Sequence, residues 1–166
     1  MASARRHSRT PSAPGVQAFF AGLIVADRAA GVEVRRALRA GQAFVDATVT
    51  FADLTGDGRK DAIVRVDSAG AAGVIAVYVL STDGQRPDRH GHLALRAIYR
   101  GENVYRASVV LRSGAAVVRV PRYAPGDDLC CPTVVQERTL AWHPSDHSLR
   151  VTAVAEVNGP RAPAGG

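Results

Sequence analysis

The segment with the clearest chemical signal is a polar, glycine-containing loop between two apolar stretches, TVTFADLTGDGRKDAIVRVD at residues 48–67. It places carboxylates at Asp53, Asp57 and Asp61, with Thr55 between the first two. Calcium takes about six to eight oxygen ligands, and a short loop can supply them from alternate residues. The spacing therefore predicts a calcium-binding loop.

The match to such a loop is partial. The ligands in order would be the side chains of Asp53, Thr55 and Asp57, the carbonyl of Arg59 and the side chain of Asp61, with Gly58 at the bend. The twelfth position is Val64 instead of the usual Glu, and Arg59 and Lys60 add positive charge, so we expect a weak site, with a Kd of ~10⁻⁴ to 10⁻³ M. The alternative is a hairpin in which the glycines supply turn geometry and the aspartates are solvated.

The adjacent cysteines Cys130 and Cys131 are a second candidate site, within the loop PRYAPGDDLCCP at 121–132. Neighbouring Cα atoms lie ~3.8 Å apart, less than the usual disulfide span. A vicinal disulfide is expected if the protein is exported, and a pair of reduced thiols if it is cytosolic. An intermolecular bond is a third possibility. Without further Cys or His ligands nearby, the pair makes a poor zinc site.

Arginine supplies almost all of the positive charge, since Lys60 is the one lysine among 21 basic residues. The arginines are dispersed and no nucleic-acid-binding motif accompanies them, so we expect no nucleic-acid partner. We predict that Arg96, Arg100, Arg106 and Arg112 line one face of two neighbouring strands. That face would hold an anionic ligand, such as a cell-envelope polymer or a carboxylate. The alternative is an ordinary solvated sheet face.

The elements that position these groups are mostly strands. Apolar alternation and short turns predict strands at 44–52, 62–66, 74–80, 93–100, 105–112, 115–120, 133–142 and 149–157. We therefore predict a mainly β fold, an antiparallel sheet, sandwich or open barrel of about eight strands, in one domain over residues 42–158.

The N-terminal region has two interpretations. Residues 1–15 and the tail 159–166 are expected to be disordered. Residues 16–41 form a helical segment whose first part has the composition of a signal peptide. The alternative is an amphipathic helix that packs Phe19, Phe20, Leu23 and Ile24 on the sheet. In residues 27–40, the side chains of Val34, Ala37 and Leu38 are expected to face inward. No apolar run is long enough to span a membrane.

Two resemblances bear on function. The segment ADLTGDGRKDAIVRV resembles the calcium loop of FG-GAP and VCBS repeats, although one copy cannot build their propeller. With GVIAVYVLS, RYAPGDDLCCP and the strand containing Trp142, residues 45–157 also resemble the actinobacterial LppP/LprE lipoprotein family. That resemblance implies an exported or surface-associated domain without established catalysis. The chain lacks the lipid-bearing cysteine of that family, so the resemblance does not extend to lipid anchoring.

These patterns favour a non-catalytic, extracytoplasmic domain that binds an unidentified cell-envelope ligand or protein. No nucleophile elbow, phosphate loop or dinucleotide fingerprint is present in the sequence. The alternative function is a small hydrolase, cytosolic or secreted, whose site lies in the loop from Asp127 to Cys131 and uses Asp127, Asp128 and Cys130. A cytoplasmic location is the corresponding alternative.

Overall fold

The computed structural model describes residues 14–160, which form two helices and nine strands. The helices are α1 (Pro14–Ala26) and α2 (Val32–Arg39). The first five strands are β1 (Ala43–Val45), β2 (Thr50–Ala52), β3 (Asp61–Ser68), β4 (Val74–Ser81) and β5 (Arg96–Glu102). The remaining four are β6 (Ser108–Arg112), β7 (Ala115–Arg122), β8 (Val134–His143) and β9 (Ser148–Asn158).

The strands form two antiparallel sheets, which confirms the predicted mainly β fold. The first sheet has the order β1-β3-β4-β5, and β2 pairs with the same strand β3. The second sheet has the order β6-β7-β8-β9. Consecutive strands pair within each sheet after β3.

A shared apolar core joins the two sheets. Ile63, Val77 and Val79 of the first sheet pack with Val118 and Leu140 of the second. The opposite face of the first sheet is also covered, which explains why β4 is apolar throughout: both faces of a strand in a middle layer exclude water.

The two helices form the third layer, on the outer face of the first sheet. Phe20 and Ile24 of α1 and Val34 of α2 are buried there with Tyr78 of β4. The prediction of an amphipathic packing helix is thereby confirmed for Phe20 and Ile24, but it was wrong for Phe19, which is 54% exposed.

A buried polar contact fixes the turn between the helices. The Tyr78 hydroxyl donates a hydrogen bond to Glu102 Oε1, which also accepts the N–H of Gly31 at 2.7 Å. Burial, followed by the Glu102 carboxylate, raises the pKa of Tyr78. A Cβ on Gly31 would lie 2.3 Å from Glu102 Oε2, so a larger residue there would displace this carboxylate.

Several predicted boundaries need correction. The expected single strand at 44–52 is two strands, because Asp46 turns the chain by accepting the Thr48 N–H at 2.7 Å. Helix α1 already begins at Pro14, inside the segment expected to be disordered. At the C-terminal end, the Gly159 N–H donates to the Thr133 carbonyl at 2.9 Å. Residues 159 and 160, the first two of the tail that was expected to be disordered, therefore belong to the described structure. The expected disorder at 1–13 and 161–166 lies outside the described residues.

Among the described residues, no helix has the length and hydropathy that crossing a membrane requires.

Candidate functional site

Asp61 anchors the acidic loop from inside the protein. It is the first residue of β3 and is 1% exposed. Its Oδ2 accepts the N–H groups of Leu54 at 2.8 Å and Thr55 at 3.1 Å. Burial raises the pKa of Asp61, and hydrogen bonds from Ser81 and from the two N–H groups oppose the rise. This carboxylate therefore holds the start of the loop against the sheet.

Asp53 organises the tip of the loop. Its Oδ1 accepts the Gly56 N–H at 2.7 Å and its Oδ2 accepts the Gly58 N–H at 3.0 Å. Gly56 and Gly58 have φ values of 76° and 84°, a region that glycine enters without steric cost. The predicted turn role of the glycines is thus confirmed.

Asp57 is held by Arg59, two residues further along the chain. It accepts the Arg59 N–H at 2.8 Å through Oδ1, and the Arg59 guanidinium through Oδ2 at 2.8 and 3.0 Å. The Arg59 N–H is the largest cause that lowers the pKa of Asp57. A cation entering the loop would have to compete with this guanidinium for Asp57.

The acidic loop fits a calcium ion only in part. The Thr55 hydroxyl, expected at the third ligand position, is shielded from solvent and has no hydrogen-bond partner among the described residues, although it lies close enough to Asp57 to help lower that carboxyl's pKa. In the described part of the chain, no three His, Cys, Asp or Glu side chains converge as a metal-ligand group. Calcium binding at Asp53, Thr55, Asp57, Arg59 and Asp61 therefore stays a prediction.

The second candidate site is built around a vicinal disulfide. Cys130 and Cys131 are bonded to each other, with their Cα atoms 3.8 Å apart, which confirms this prediction over the reduced and intermolecular alternatives. Cys130 is exposed, Cys131 is half-buried and Pro132 is buried. The disulfide therefore lies at the protein surface, directly before a buried proline.

The loop carrying the disulfide is closed by Asp127. Its carboxylate accepts the Ala124 N–H at 2.8 Å, the Thr133 N–H at 2.7 Å and the Thr133 hydroxyl at 2.6 Å. The Tyr123 hydroxyl donates to the Leu129 carbonyl at 3.0 Å. A hydrolase that used Cys130 as nucleophile would need a free thiolate, and here that sulfur is bonded to Cys131.

We predict that mild acid opens this loop. The hydrogen bonds from Thr133 hold the pKa of Asp127 below its usual 3.8. Because the folded-state pKa is depressed, the stabilisation is complete above pH 3.8 and is lost as the pH falls through the folded value. The protection factor of the Thr133 amide, measured by hydrogen exchange, should therefore fall below about pH 4.

Matched substitutions in adjacent residues isolate this effect. Asp127→Asn should lower Thr133 protection at neutral pH and remove its dependence on acid. Asp128→Asn, one position along, should leave the profile of the wild type. An acid-independent Thr133 protection factor in the wild type would contradict the role assigned to Asp127.

A cleft lies between this loop and the outer face of the second sheet. This disulfide cleft has a volume of ≈ 230 Å³, and its principal lining residues are Arg106, Arg119, Tyr123, Leu129, Cys130 and Val135. The Tyr123 ring packs edge-on against Tyr105 with centroids 6.0 Å apart. The cleft thus combines an apolar wall with two guanidinium groups.

A charge network forms the floor beside the cleft. Glu137 of β8 is 6% exposed and accepts hydrogen bonds from Arg112 at 2.8 and 3.2 Å and from Arg119 Nε at 3.1 Å. Arg112 is the main cause that lowers the pKa of Glu137. Arg106 instead donates to the Ala71 carbonyl at 3.2 Å. Positive charge is therefore in excess on this part of the sheet.

The expectation that four arginines share one face of neighbouring strands was wrong. Arg96 and Arg100 lie on β5 in the first sheet, whereas Arg112 lies on β6 in the second. The connection at 103–107 does not form a hairpin, because the N–H groups of Val104 and Ala107 bond to the carbonyls of β4 residues. The chain therefore crosses between sheets at this point and separates the arginines.

Four of the lining residues named above were not identified as site residues from the sequence: Arg119, Tyr123, Leu129 and Val135. Arg119 interrupts the apolar run of β7, and that interruption was the available signal. Arg106 has a φ of 49°, which is uncommon outside glycine, and its N–H donates to the Ala72 carbonyl at 3.0 Å. No pattern in the sequence predicts that conformation of Arg106.

The fold and the site together define a class: a two-sheet antiparallel domain with a helical layer and an arginine-lined cleft beside a vicinal disulfide. No family model, curated protein or solved structure matches the chain.

Proposed function

We propose that the chain is a non-catalytic binding domain that takes an anionic, carboxylate-bearing ligand in the disulfide cleft. The observation that carries the proposal is that Arg106 and Arg119 line the same cleft as Cys130. Arginine matches a carboxylate in a two-point geometry, which gives both strength and orientation. An acidic polymer of the cell envelope has this chemistry.

The arrangement of Arg119 suits such a role. Its Nε–H donates a hydrogen bond to Glu137, while its terminal nitrogens make no hydrogen bond with another described residue. Those two donors are the ones a ligand carboxylate would meet. Asp127 and the disulfide fix the opposite wall, so little ordering of the protein should accompany binding.

Binding of oligogalacturonate, measured by calorimetry, tests this proposal. Arg119→Gln and Arg106→Gln should each weaken binding about tenfold, since a hydrogen-bonded charge contributes ~1.5 kcal/mol or more. Arg86→Gln removes the same charge from an exposed residue outside the cleft and should leave affinity unchanged. Equal affinity of all three variants and the wild type would refute the assignment.

We propose that the domain works outside the cytoplasm, secreted or associated with the cell surface. The vicinal disulfide supports this location, since disulfides persist in oxidising compartments, and the resemblance to the LppP/LprE family points the same way. Trapping free thiols in intact cells tests it. Both cysteines should resist alkylation until a reductant is added; immediate alkylation would instead favour the cytoplasmic alternative.

We also propose that the acidic loop takes calcium weakly, with Arg59 as the competitor for Asp57. Arg59→Gln should therefore tighten calcium binding several-fold, and Asp57→Asn should abolish it. Saturating calcium, at about 100 times Kd, should add ~2.7 kcal/mol of stability and raise Tm by roughly 5–10 °C relative to chelator.

The control for this prediction is Lys60→Gln, which removes a neighbouring positive charge that makes no described contact with Asp57. It should change calcium affinity less than Arg59→Gln does. If about 10 mM calcium shifts Tm in neither the wild type nor Arg59→Gln, the loop is a turn and the calcium proposal fails.

A further inference from the structure

The outer side of helix α1 is apolar, and no other part of the described chain covers it. None of the 13 residues of α1 is charged. Phe20 and Ile24 face the sheet, whereas Phe19 and Val16 are 54% and 40% exposed. A Cβ added at Gly22 would meet no neighbouring atom within 4 Å, so the space beyond that position is open. Val16, Phe19 and Gly22 therefore form an unpartnered apolar surface, the α1 strip.

Arginines border the α1 strip at its C-terminal end. Arg28 follows the helix, is exposed and has no ion-pair partner among the described residues. Arg39 of α2 reaches across to α1 and donates to the Val25 carbonyl at 3.5 Å. Arg36, also on α2, pairs with Glu33 at 2.7 Å and so adds no net charge. Two guanidinium groups without a carboxylate partner in the described part of the chain thus lie beside the strip.

The net charge of the chain is concentrated in the same region. Although the arginines are dispersed, most carboxylates lie after residue 41. Residues 1–41 contain seven arginines against two Asp or Glu residues, whereas residues 42–166 contain 14 basic and 13 acidic residues. Three of the seven arginines, Arg5, Arg6 and Arg9, precede α1 in the sequence. Five of the six net positive charges therefore belong to the segment that contains the helices and the residues before them.

We propose that the outer side of the helical layer binds the surface of a membrane that contains anionic lipids. Phe19 and Val16 would enter the boundary between headgroups and acyl chains, where interfacial helices bury their apolar side by about 5–10 Å. Arg28 and Arg39 would meet lipid phosphates, which guanidinium groups bind through two donors. The inner side of α1 is packed on the sheet, so the helix would lie along the membrane surface. This surface is distinct from the disulfide cleft, and the inference does not rest on the function proposed there.

The combination of apolar and cationic groups selects this partner over others. A second copy of the chain would bring together two surfaces that both carry excess positive charge, which opposes association. A nucleic acid would satisfy the arginines but would leave Phe19 and Val16 against phosphates or water. An anionic membrane offers acyl chains to the apolar side chains and phosphates to the guanidinium groups.

Co-sedimentation of the full chain with lipid vesicles tests the proposal. The protein should bind vesicles made of phosphatidylglycerol and phosphatidylcholine in equal parts, and it should bind pure phosphatidylcholine about tenfold more weakly. Binding to the anionic vesicles should also weaken several-fold between about 0.1 and 1 M salt, because the Debye length falls from ~10 to ~3 Å. Binding to anionic vesicles that does not exceed binding to phosphatidylcholine overturns the proposal.

Two phenylalanines of similar exposure provide a matched pair of variants. Phe19→Ala should weaken vesicle binding about tenfold, because it removes the largest apolar side chain of the α1 strip. Phe44 is 48% exposed but lies on β1, where its neighbours Ala43 and Val45 face the helices, so its side chain points away from the helical layer. Phe44→Ala should therefore bind vesicles like the wild type. A folded Phe19→Ala protein that binds like the wild type, or an equal loss in both variants, overturns the proposal.

Two double variants test the cationic border. Arg28→Gln combined with Arg39→Gln should weaken binding to anionic vesicles about tenfold and leave the weaker binding to phosphatidylcholine unchanged. Arg122→Gln combined with Arg150→Gln removes two exposed arginines from the second sheet and should change neither. Equal losses in the two double variants would assign the attraction to total charge and overturn the proposal. A dimer that forms without vesicles in sedimentation velocity, and that Phe19→Ala dissociates, would instead assign the strip to a second copy.

Discussion

A chain that begins at Asp27, without helix α1, should be less stable than the full chain by about 5 kcal/mol, which is the total stability of many small domains. Phe20 and Ile24 are 4% and 1% exposed, and burial of each such side chain contributes ~1.5–3 kcal/mol. Removal of the helix also uncovers Val45 and Val64 on the sheet. Urea unfolding followed by the fluorescence of Trp142 measures the difference.

Two adjacent phenylalanines provide a matched test of the same point. Phe20→Ala should cost ~3–5 kcal/mol because it empties a buried site. Phe19→Ala, at a position that is 54% exposed, should change the free energy of unfolding by less than about 0.5 kcal/mol. Equal, small effects at both positions would show that α1 is not part of the core.

The buried position of α1 also has a consequence for export. A leader cleaved after Ala26 would remove Phe20 and Ile24 from the folded protein. If the proposed export takes place, we therefore expect the exported protein to retain α1. Mass spectrometry of its N-terminus decides this, and a mature chain starting near Asp27 that is fully stable would contradict the three-layer fold.

Asp61→Ala should be the most damaging single change in the acidic loop, at about 3 kcal/mol. It leaves the N–H groups of Leu54 and Thr55 without their acceptor, and an unsatisfied buried donor costs ~1–3 kcal/mol. Asp57→Ala, at an exposed position paired with Arg59, should cost only a few tenths of a kcal/mol. Chemical denaturation of the two variants in parallel measures the contrast.

The charge of Asp61 makes the amide replacement informative. Burial raises the pKa of Asp61 above 3.8, so the stability linked to this group is highest below pH 3.8 and declines as the pH rises through the folded-state value. Asp61→Asn keeps an oxygen acceptor without the buried charge and should cost less than Asp61→Ala at pH 7. An equal cost for both substitutions would assign the loss to something other than the acceptor.

The elements predicted well were those with a local cause. The unbroken apolar run at 74–80 indicated a strand covered on both faces, and β4 lies in the middle layer. The glycines at 56 and 58 indicated a tight turn, and both have positive φ. The adjacency of Cys130 and Cys131 limited the pairing to a few alternatives, and the structure shows one of them.

The elements predicted poorly depend on contacts distant in sequence. Phe19 and Phe20 are equally apolar, and the helix rotation that buries one of them is set by the sheet. Arg96 and Arg112 were assigned to one face because the connection between their strands resembles a hairpin, but backbone bonds to β4 carry the chain to the other sheet. The ion pairs of Glu137 could not be predicted from the sequence, because its partners Arg112 and Arg119 lie 25 and 18 residues away.

The most direct test of the proposed function is NMR mapping of oligogalacturonate on the isotopically labelled protein. The proposal predicts that perturbed resonances cluster at the disulfide cleft, at Arg106, Arg119, Tyr123 and Leu129, and that Arg119→Gln removes the perturbations. Dextran, a neutral polymer, should perturb none of them. Perturbations centred on another surface, or perturbations at the cleft that persist in Arg119→Gln, would contradict the assignment of the disulfide cleft as the anion-binding site.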